Sequence, residues 1–351
     1  MAPEPTDRRA RAVTLGVAED DAEAMFERGW TDGLPVVPPT PERVERMLAG
    51  TTRAPDEVVA VVPPDLVECT VEKVAINAVL AGCRPEYLPV VLAAVEAACT
   101  DAFNMHGLLA TTWFSGPVVV VNGPVTHAIG MNSGVNALGP GNRANATIGR
   151  ALQLVVRNVG GGRPGEVDRA TLGQPGKYTF CFAEDEAGSP WEPLHVARGL
   201  EPGQSAVTLF AGEAPRGLAD QLARSADDLA TSFAACLRTV WGPKAVLAFD
   251  AMVVVSPEHA RVFAGSGWTR TRLVEELHAP LRNPGAELVR GAGGIAEGVD
   301  PAWADAEIPK FRPDGLLVVH AGGGAGLFSA IVGGWASGAL GSEPVTRPVG
   351  T

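Results

Sequence analysis

One stretch of this sequence, residues 102–142, contains no Asp, Glu, Lys or Arg. It nevertheless carries two His and five Asn, which are Asn104, Asn122, Asn132, Asn136 and Asn142. A buried polar group without a partner costs about 1–3 kcal/mol, so amides in an uncharged segment need either an internal network or a bound ligand. We therefore predict that this segment forms a wall of a small-molecule site.

Several motifs of known chemistry are also missing. The chain has only five Cys, at wide spacings and with no CxxC pair, which argues against a disulfide framework and a zinc knuckle. The six His show no HxH or HExxH spacing, so a metal has no support from the sequence and we predict no cofactor. No Ser lies in a GxSxG elbow, which weakens an α/β-hydrolase interpretation.

Positive charge is scarce as well. The net charge is -12 and the 28 Lys and Arg form no long run, which argues against nucleic acid as the main partner. Residues 1–20 lack the apolar core of a signal peptide, which argues against export. The uncharged segment 316–342 is rich in Gly, which favours a buried strand, loop and helix over a membrane span. We expect a cytoplasmic homo-oligomer that binds a small anionic substrate and no membrane.

The order of apolar runs predicts an α/β fold. Buried strands are expected at 117–121, 206–210, 245–255 and 316–319, with further strands at 58–62, 108–112 and 178–182, and helices at 70–80, 85–99, 145–159 and 219–240. Three apolar strands each end in a turn with a helix behind it, the arrangement in which α/β proteins bind ligands. We predict two similar-sized α/β halves with mainly buried strands, flanking helices and glycine-rich loops at strand ends.

The predicted domains are an N-terminal arm and helix (1–50), a first α/β half with the Asn/Gly-rich loop (51–170) and a second α/β half with a glycine-rich loop (171–351). The loop at 122–141 leads into a helix whose N-terminus favours an anion. Asn142, Arg143 and Asn145 are the expected anion ligands, with Asn122 and Asn132 beside them; alternatively, these Asn only fill turn positions. The site would fail if Arg143 pointed to solvent while the amides paired internally.

A second glycine-rich loop follows the strand at 316–319. It resembles a phosphate cradle at Gly323 and Gly324, but it lacks both the GxxxxGK[ST] lysine and a true GxGxxG, so close helix packing is an equal alternative. His320 and Ser329 flank this loop and would be its reactive groups. Lys177 and Glu184, on either side of the strand at 178–182, could supply charge to a cleft or could simply lie at solvated strand ends.

Four residues are candidates for catalysis. His259 follows Glu258, whose carboxylate could tune the imidazole for acid/base work or could merely complement the helix dipole. His320 and His127 are further acid/base candidates, and a lone His is often only a satisfied core residue. Cys83 is the best nucleophile candidate, because Arg84 and a helix N-terminus would lower its thiol pKa, although most free Cys are small buried hydrophobes.

Several motifs after residue 30 resemble a bacterial family associated with the UGSC-motif (seleno)proteins. They include Trp30-Thr31-Asp32-Gly33-Leu34-Pro35, Ala81-Gly82-Cys83-Arg84-Pro85-Glu86-Tyr87, Gly139-Pro140-Gly141-Asn142-Arg143-Ala144-Asn145 and Pro175-Gly176-Lys177-Tyr178-Thr179-Phe180-Cys181. The resemblance supplies no catalytic residue. The resemblance implies redox or sulfur chemistry only because the family is associated with UGSC-motif (seleno)proteins, since this chain itself lacks a Cys-Gly-Ser-Cys motif.

The leading hypothesis is therefore an enzyme that acts on a small anionic metabolite by acid/base-assisted bond cleavage or addition, of the lyase or hydrolase kind. The alternatives are a Cys-dependent redox or sulfur-transfer enzyme with a redox protein partner, and a non-catalytic partner subunit whose loops pack against another protein.

Overall fold

The computed structural model describes residues 10–11, 13–16, 19–247, 249–338 and 341–350, so residues 1–9 of the predicted arm lie outside the described ranges. The helices described are α1 (Asp21–Glu27), α2 (Pro41–Leu48), α3 (Val71–Ala81), α4 (Leu88–Ala98), α5 (Met105–Ala110), α6 (Val125–Ala128), α7 (Arg143–Asn158), α8 (Leu194–Ala197), α9 (Ala226–Arg238), α10 (Pro257–Gly265), α11 (Arg270–His278) and α12 (Gly285–Leu288). Among them, none is both long and apolar enough to cross a membrane.

The strands described are β1 (Val58–Val62), β2 (Val67–Thr70), β3 (Gly116–Asn122), β4 (Cys181–Ala183), β5 (Ala206–Gly212), β6 (Arg216–Ala219), β7 (Phe249–Val255), β8 (Arg282–Pro284), β9 (Glu307–Pro309), β10 (Leu316–His320), β11 (Phe328–Ala336) and β12 (Val345–Pro348). Strands β1 and β2 form an antiparallel ribbon, as do β8 and β9. The other eight strands form the central sheet, and helices cover it, which confirms the α/β class.

The central sheet is built as two four-stranded subsheets with the same pattern. The first has the order β4-β3-β5-β12 and the second β10-β7-β11-β6. In both of them a parallel pair, β3 with β4 or β7 with β10, lies beside an antiparallel strand. Strand β6 follows β5 but pairs with β11, and β12 follows β11 but pairs with β5, so the two subsheets exchange their last strands. The predicted boundary near residue 170 falls between β3 and β4, inside the first subsheet.

The two subsheets join at the pair Gly212 and Gly334. Strands β3 and β7 both start beside this join, because Gly116 pairs with Gly212 and Phe249 with Ala336. Their carboxyl ends, and those of their parallel neighbours, therefore lie at the far side of the sheet. There the two subsheets meet again, since the Asp185 N–H donates to the His320 carbonyl at 2.8 Å.

Alternate residues of the buried strands face two different cores. Val118 and Val120 of β3 pack with Met252 of β7 and Leu317 of β10 in a core between the two subsheets. The opposite face of the first subsheet packs on α3, α4 and α7, and that of the second on α9, α10 and α11. Both faces are buried, so these strands are apolar at nearly every position.

Three predictions of local structure were wrong. Residues 108–112 belong to helix α5 and its C-terminal end instead of a strand, because Asn104 caps that helix by accepting the Gly107 N–H at 3.0 Å. The segment after the second glycine-rich loop is strand β11 instead of a helix. The helix predicted at 219–240 begins only at Ala226, because Ser225 is its N-cap and β6 extends to Ala219.

Candidate functional site

A serine and a buried histidine form a hydrogen-bonded pair at the carboxyl end of β7. The Oγ of Ser329, on β11, lies 2.8 Å from Nδ1 of His259, on α10. The other ring nitrogen, Nε2, lies 3.1 Å from the carbonyl oxygen of Asp220, which can only accept a hydrogen bond. Nε2 therefore carries the proton, and Nδ1 is left to accept the hydroxyl hydrogen of Ser329.

The surrounding residues hold this pair in one orientation. Helix α10 starts directly after β7, with Ser256 as N-cap and Pro257 in its first turn, which places His259 against β11. The imidazole is fully buried and meets the edge of Phe233, with ring centroids 5.6 Å apart. The Ser256 N–H donates to the Ser329 Oγ at 3.2 Å. The Glu258 carboxylate accepts the Leu327 N–H at 2.7 Å, so this residue anchors the glycine-rich loop.

Ser329 lies in the wall of an open cleft of about 540 Å³. The glycine-rich loop contributes Gly322, Gly323 and Ala325, and the Asn/Gly-rich loop contributes residues 135–139. None of the lining residues is charged, and apolar surface comes from side chains of both loops and the strands beside them, which are Val135, Leu138, Val254 and Phe328. The cleft therefore brings together the two loops and the serine that the sequence singled out, in an apolar setting.

The glycine-rich loop offers donors at the cleft. The Gly322 N–H donates to the Ser133 carbonyl at 2.8 Å, which ties the two loops together. The N–H groups of Gly323, Gly324 and Ala325 have no hydrogen-bond partner within the described ranges. Backbone N–H groups beside a nucleophile are the donors that stabilise an oxyanion.

The predicted anion site at the start of α7 is not formed. Asn145 is buried, accepts the Asn132 N–H at 3.0 Å and donates to the carbonyls of Asn132 at 2.8 Å and Ala137 at 3.3 Å. Asn142 caps α7 through the Asn145 N–H and donates to the Gly130 carbonyl. Arg143 is exposed, and its Nε donates to the Gly82 carbonyl at 2.9 Å. The amides thus form an internal network that shapes the loop, and Arg143 takes no part in it.

Asn122 and His320 belong to a second polar cluster, at the meeting point of the two subsheets. The Asn122 amide donates to Glu184 at 2.7 Å and to Glu186 at 2.9 Å. Glu184 is buried and also accepts the Leu194 N–H at 2.7 Å. Burial raises the pKa of Glu184, while the charge of Arg270, 3.6 Å away, opposes this change.

Two buried histidines flank the carboxylates of this cluster. His320 Nε2 lies 3.9 Å from Asp185 and His195 Nδ1 lies 3.8 Å from Glu186, and all four ring nitrogens lack a hydrogen-bond partner among the described residues. Burial lowers the pKa of both imidazoles, which favours their neutral forms. His320 therefore points to this cluster and does not join the Ser329–His259 pair.

The remaining candidates lie elsewhere. His127 is exposed on α6. Lys177 pairs with Asp168 at 2.7 Å beside Gly116, at the end of β3 opposite to Asn122. Cys83 is buried and donates to the Thr147 carbonyl at 3.3 Å, and burial raises its pKa to about 12. The expected lowering of this pKa was wrong, because loss of hydration outweighs the nearby charge of Arg143.

No group of three or more His, Cys, Asp or Glu is placed to hold a metal ion in the described ranges. The sequence interpretation missed His195, Glu186 and the carbonyl of Asp220 as members of the two clusters. The acidic run 184–186 directly after a buried strand was the signal for one of them, whereas nothing local marks the Asp220 carbonyl.

Comparison of the chain with protein-family models, curated proteins and solved structures gave no match. The resemblance to the family associated with UGSC-motif (seleno)proteins therefore stays a prediction, and the site has to be interpreted from its own geometry.

Proposed function

We propose that this protein is a hydrolase that cleaves small acyl esters or thioesters with Ser329 as nucleophile and His259 as general base. The observation that carries the proposal is the 2.8 Å contact between Ser329 Oγ and His259 Nδ1, with Ser329 among the residues that line the cleft. The Asp220 carbonyl fixes the ring so that Nδ1 faces the serine, which is the role of the third group in nucleophile–base arrangements.

The reaction would proceed in two halves. Ser329 Oγ attacks the acyl carbon while its proton passes to His259 Nδ1, and N–H groups of the glycine-rich loop that lack a partner in the described ranges would donate to the oxyanion. Collapse of this intermediate breaks the bond to the leaving group, which takes the proton from His259 and leaves an acyl-serine. Water then attacks the acyl carbon and gives a proton to His259, which returns it to Ser329 Oγ as the acid is released.

The cleft favours an uncharged acyl group. It is lined by apolar side chains and contains no Lys or Arg to pair with an anion, in contrast to the small anionic metabolite expected from the sequence. Short neutral acyl chains are therefore the proposed substrates. The Cys-dependent alternative finds no support in the buried thiol of Cys83, while a homo-oligomer and a redox partner stay predictions.

A labelling experiment tests this proposal directly. A fluorophosphonate probe should modify the native protein on Ser329, and peptide mass spectrometry would locate the adduct. Ser329→Ala and His259→Gln should lower hydrolysis of p-nitrophenyl butyrate by about 10³-fold or more. Ser266→Ala and His127→Gln are matched controls on exposed positions and should keep wild-type activity. Hydrolysis and labelling that persist in Ser329→Ala would refute the assignment.

A further inference from the structure

A second cleft, of about 330 Å³, lies at the C-terminal end of α7. Its lining includes Arg157 from the last turn of that helix, Arg163 from the following loop, and Phe26, Thr31 and Asp32 from the N-terminal region. Helix α7 has 16 residues and rises about 1.5 Å per residue, so this cleft is about 24 Å along the helix from the Asn142 cap. It is separate from the cleft at Ser329.

The two arginines of this cleft lack carboxylate partners. Neither forms an ion pair within the described residues, and only Arg157 Nε makes a hydrogen bond, to the Gly29 carbonyl at 3.4 Å. Arg163 Nε is buried and has no partner there. Burial, followed by the charge of Arg163, lowers the pKa of Arg157, and both arginines line the same cleft.

The nearby carboxylates do not neutralise this pair. Asp32 is held by Arg150 through two hydrogen bonds of 2.8 and 2.7 Å. Glu166, which also lines the cleft, is exposed and makes no ion pair within the described residues. The charges of Asp32 and Arg150 balance each other. The two positive charges of Arg157 and Arg163 exceed the single negative charge of Glu166, so the cleft keeps a net positive charge.

We propose that this cleft binds a small organic carboxylate through Arg157 and Arg163. A carboxylate accepts the parallel N–H groups of a guanidinium and would relieve the repulsion between the two charges. Phe26, an exposed aromatic side chain in the wall, provides a surface for the apolar body of the ligand. The buried Thr31 hydroxyl accepts the Gly33 N–H at 3.0 Å, and its hydrogen remains free to donate to the anion.

Isothermal titration of the full-length protein at constant ionic strength tests the proposal with three probes, namely benzoate, acetate and inorganic phosphate. Benzoate should bind most tightly. Arg157→Gln and Arg163→Gln should each weaken benzoate binding by about tenfold or more, because a charge-assisted hydrogen bond is lost. Phe26→Ala should weaken benzoate binding and leave acetate unchanged. Arg169→Gln, an exposed arginine of the same loop outside the cleft, is the matched control.

Circular dichroism and melting without ligand would show that the variants fold, and Arg157→Lys and Arg163→Lys replace any Gln variant that does not. The proposal is overturned if none of the three anions binds, if phosphate binds more tightly than benzoate, or if the variants at Arg157 and Arg163 bind benzoate as the wild type does.

Discussion

Substitution of Asn145 distinguishes an amide that supports the fold from an amide that binds a ligand. Asn145 sits in the first turn of α7, and its side chain makes three hydrogen bonds to the backbone of the loop that lines the Ser329 cleft. Asn145→Ala removes all three bonds without changing the helix, since Ala is a good helix former.

The expected cost follows from these contacts. Each hydrogen bond contributes about 0.5–1.5 kcal/mol net, so three of them correspond to about 3 kcal/mol of unfolding free energy. The Ala137 carbonyl lies in a buried residue and is poorly placed to gain water in exchange. Asn132→Ala provides a control in the same loop, because the Asn132 amide bonds only to Gly134 and Val135 at a partly exposed position and water can replace these bonds. It should cost less than about 1 kcal/mol.

Urea unfolding of the wild type and both variants, followed by circular dichroism, measures these differences. The Asn145→Ala midpoint should fall well below that of Asn132→Ala. Equal stability of Asn145→Ala and wild type would refute the structural role of this amide and would revive the hypothesis that it binds a ligand.

Three further predictions concern buried groups. Burial, with the charges of Arg238 and Arg216, lowers the pKa of Lys310 to about 8. In the unfolded chain this Lys titrates near 10.5, so the unfolded state binds more protons than the folded state between about pH 8 and 10.5. The unfolding free energy of the wild type should therefore rise across this pH range by about 3 kcal/mol relative to Lys310→Met. Urea unfolding at several pH values would measure this difference. Iodoacetamide at pH 8 should leave Cys83 unmodified in the native protein, whereas rapid alkylation would contradict its burial. Gly334→Ala should lower the urea midpoint strongly, because its Cβ would lie 2.7 Å from the Asp250 carbonyl, while Gly217→Ala, which meets open space, should not.

The α/β class and most buried strands were predictable, because they depend on local pattern. Strand β3 is buried on both faces, and its run of four Val marks such a strand without reference to the rest of the chain. Helices α3, α4 and α7 were recognised for the same reason, from apolar spacing and from caps such as Thr70. The helix at 105–110 was missed, since its short apolar run fits a strand equally well and a single Asn104 cap decides the outcome.

The partners of the site residues could not be predicted from local sequence pattern. Sequence alone indicated that Ser329, His259 and Gly323 were unusual, and that the amides of the uncharged segment needed partners, since buried polar groups require hydrogen bonds wherever they lie. Only the tertiary structure determined which partners they have. Pairing of β7 with β11 brings Ser329 within 2.8 Å of His259, although the two residues are 70 positions apart in the chain. The folding of the loop onto α7 lets Asn145 satisfy Asn132 internally and leaves Arg143 exposed. These outcomes depend on long-range strand pairing and on competition among many possible hydrogen-bond partners. Neither can be predicted from the order of residues alone.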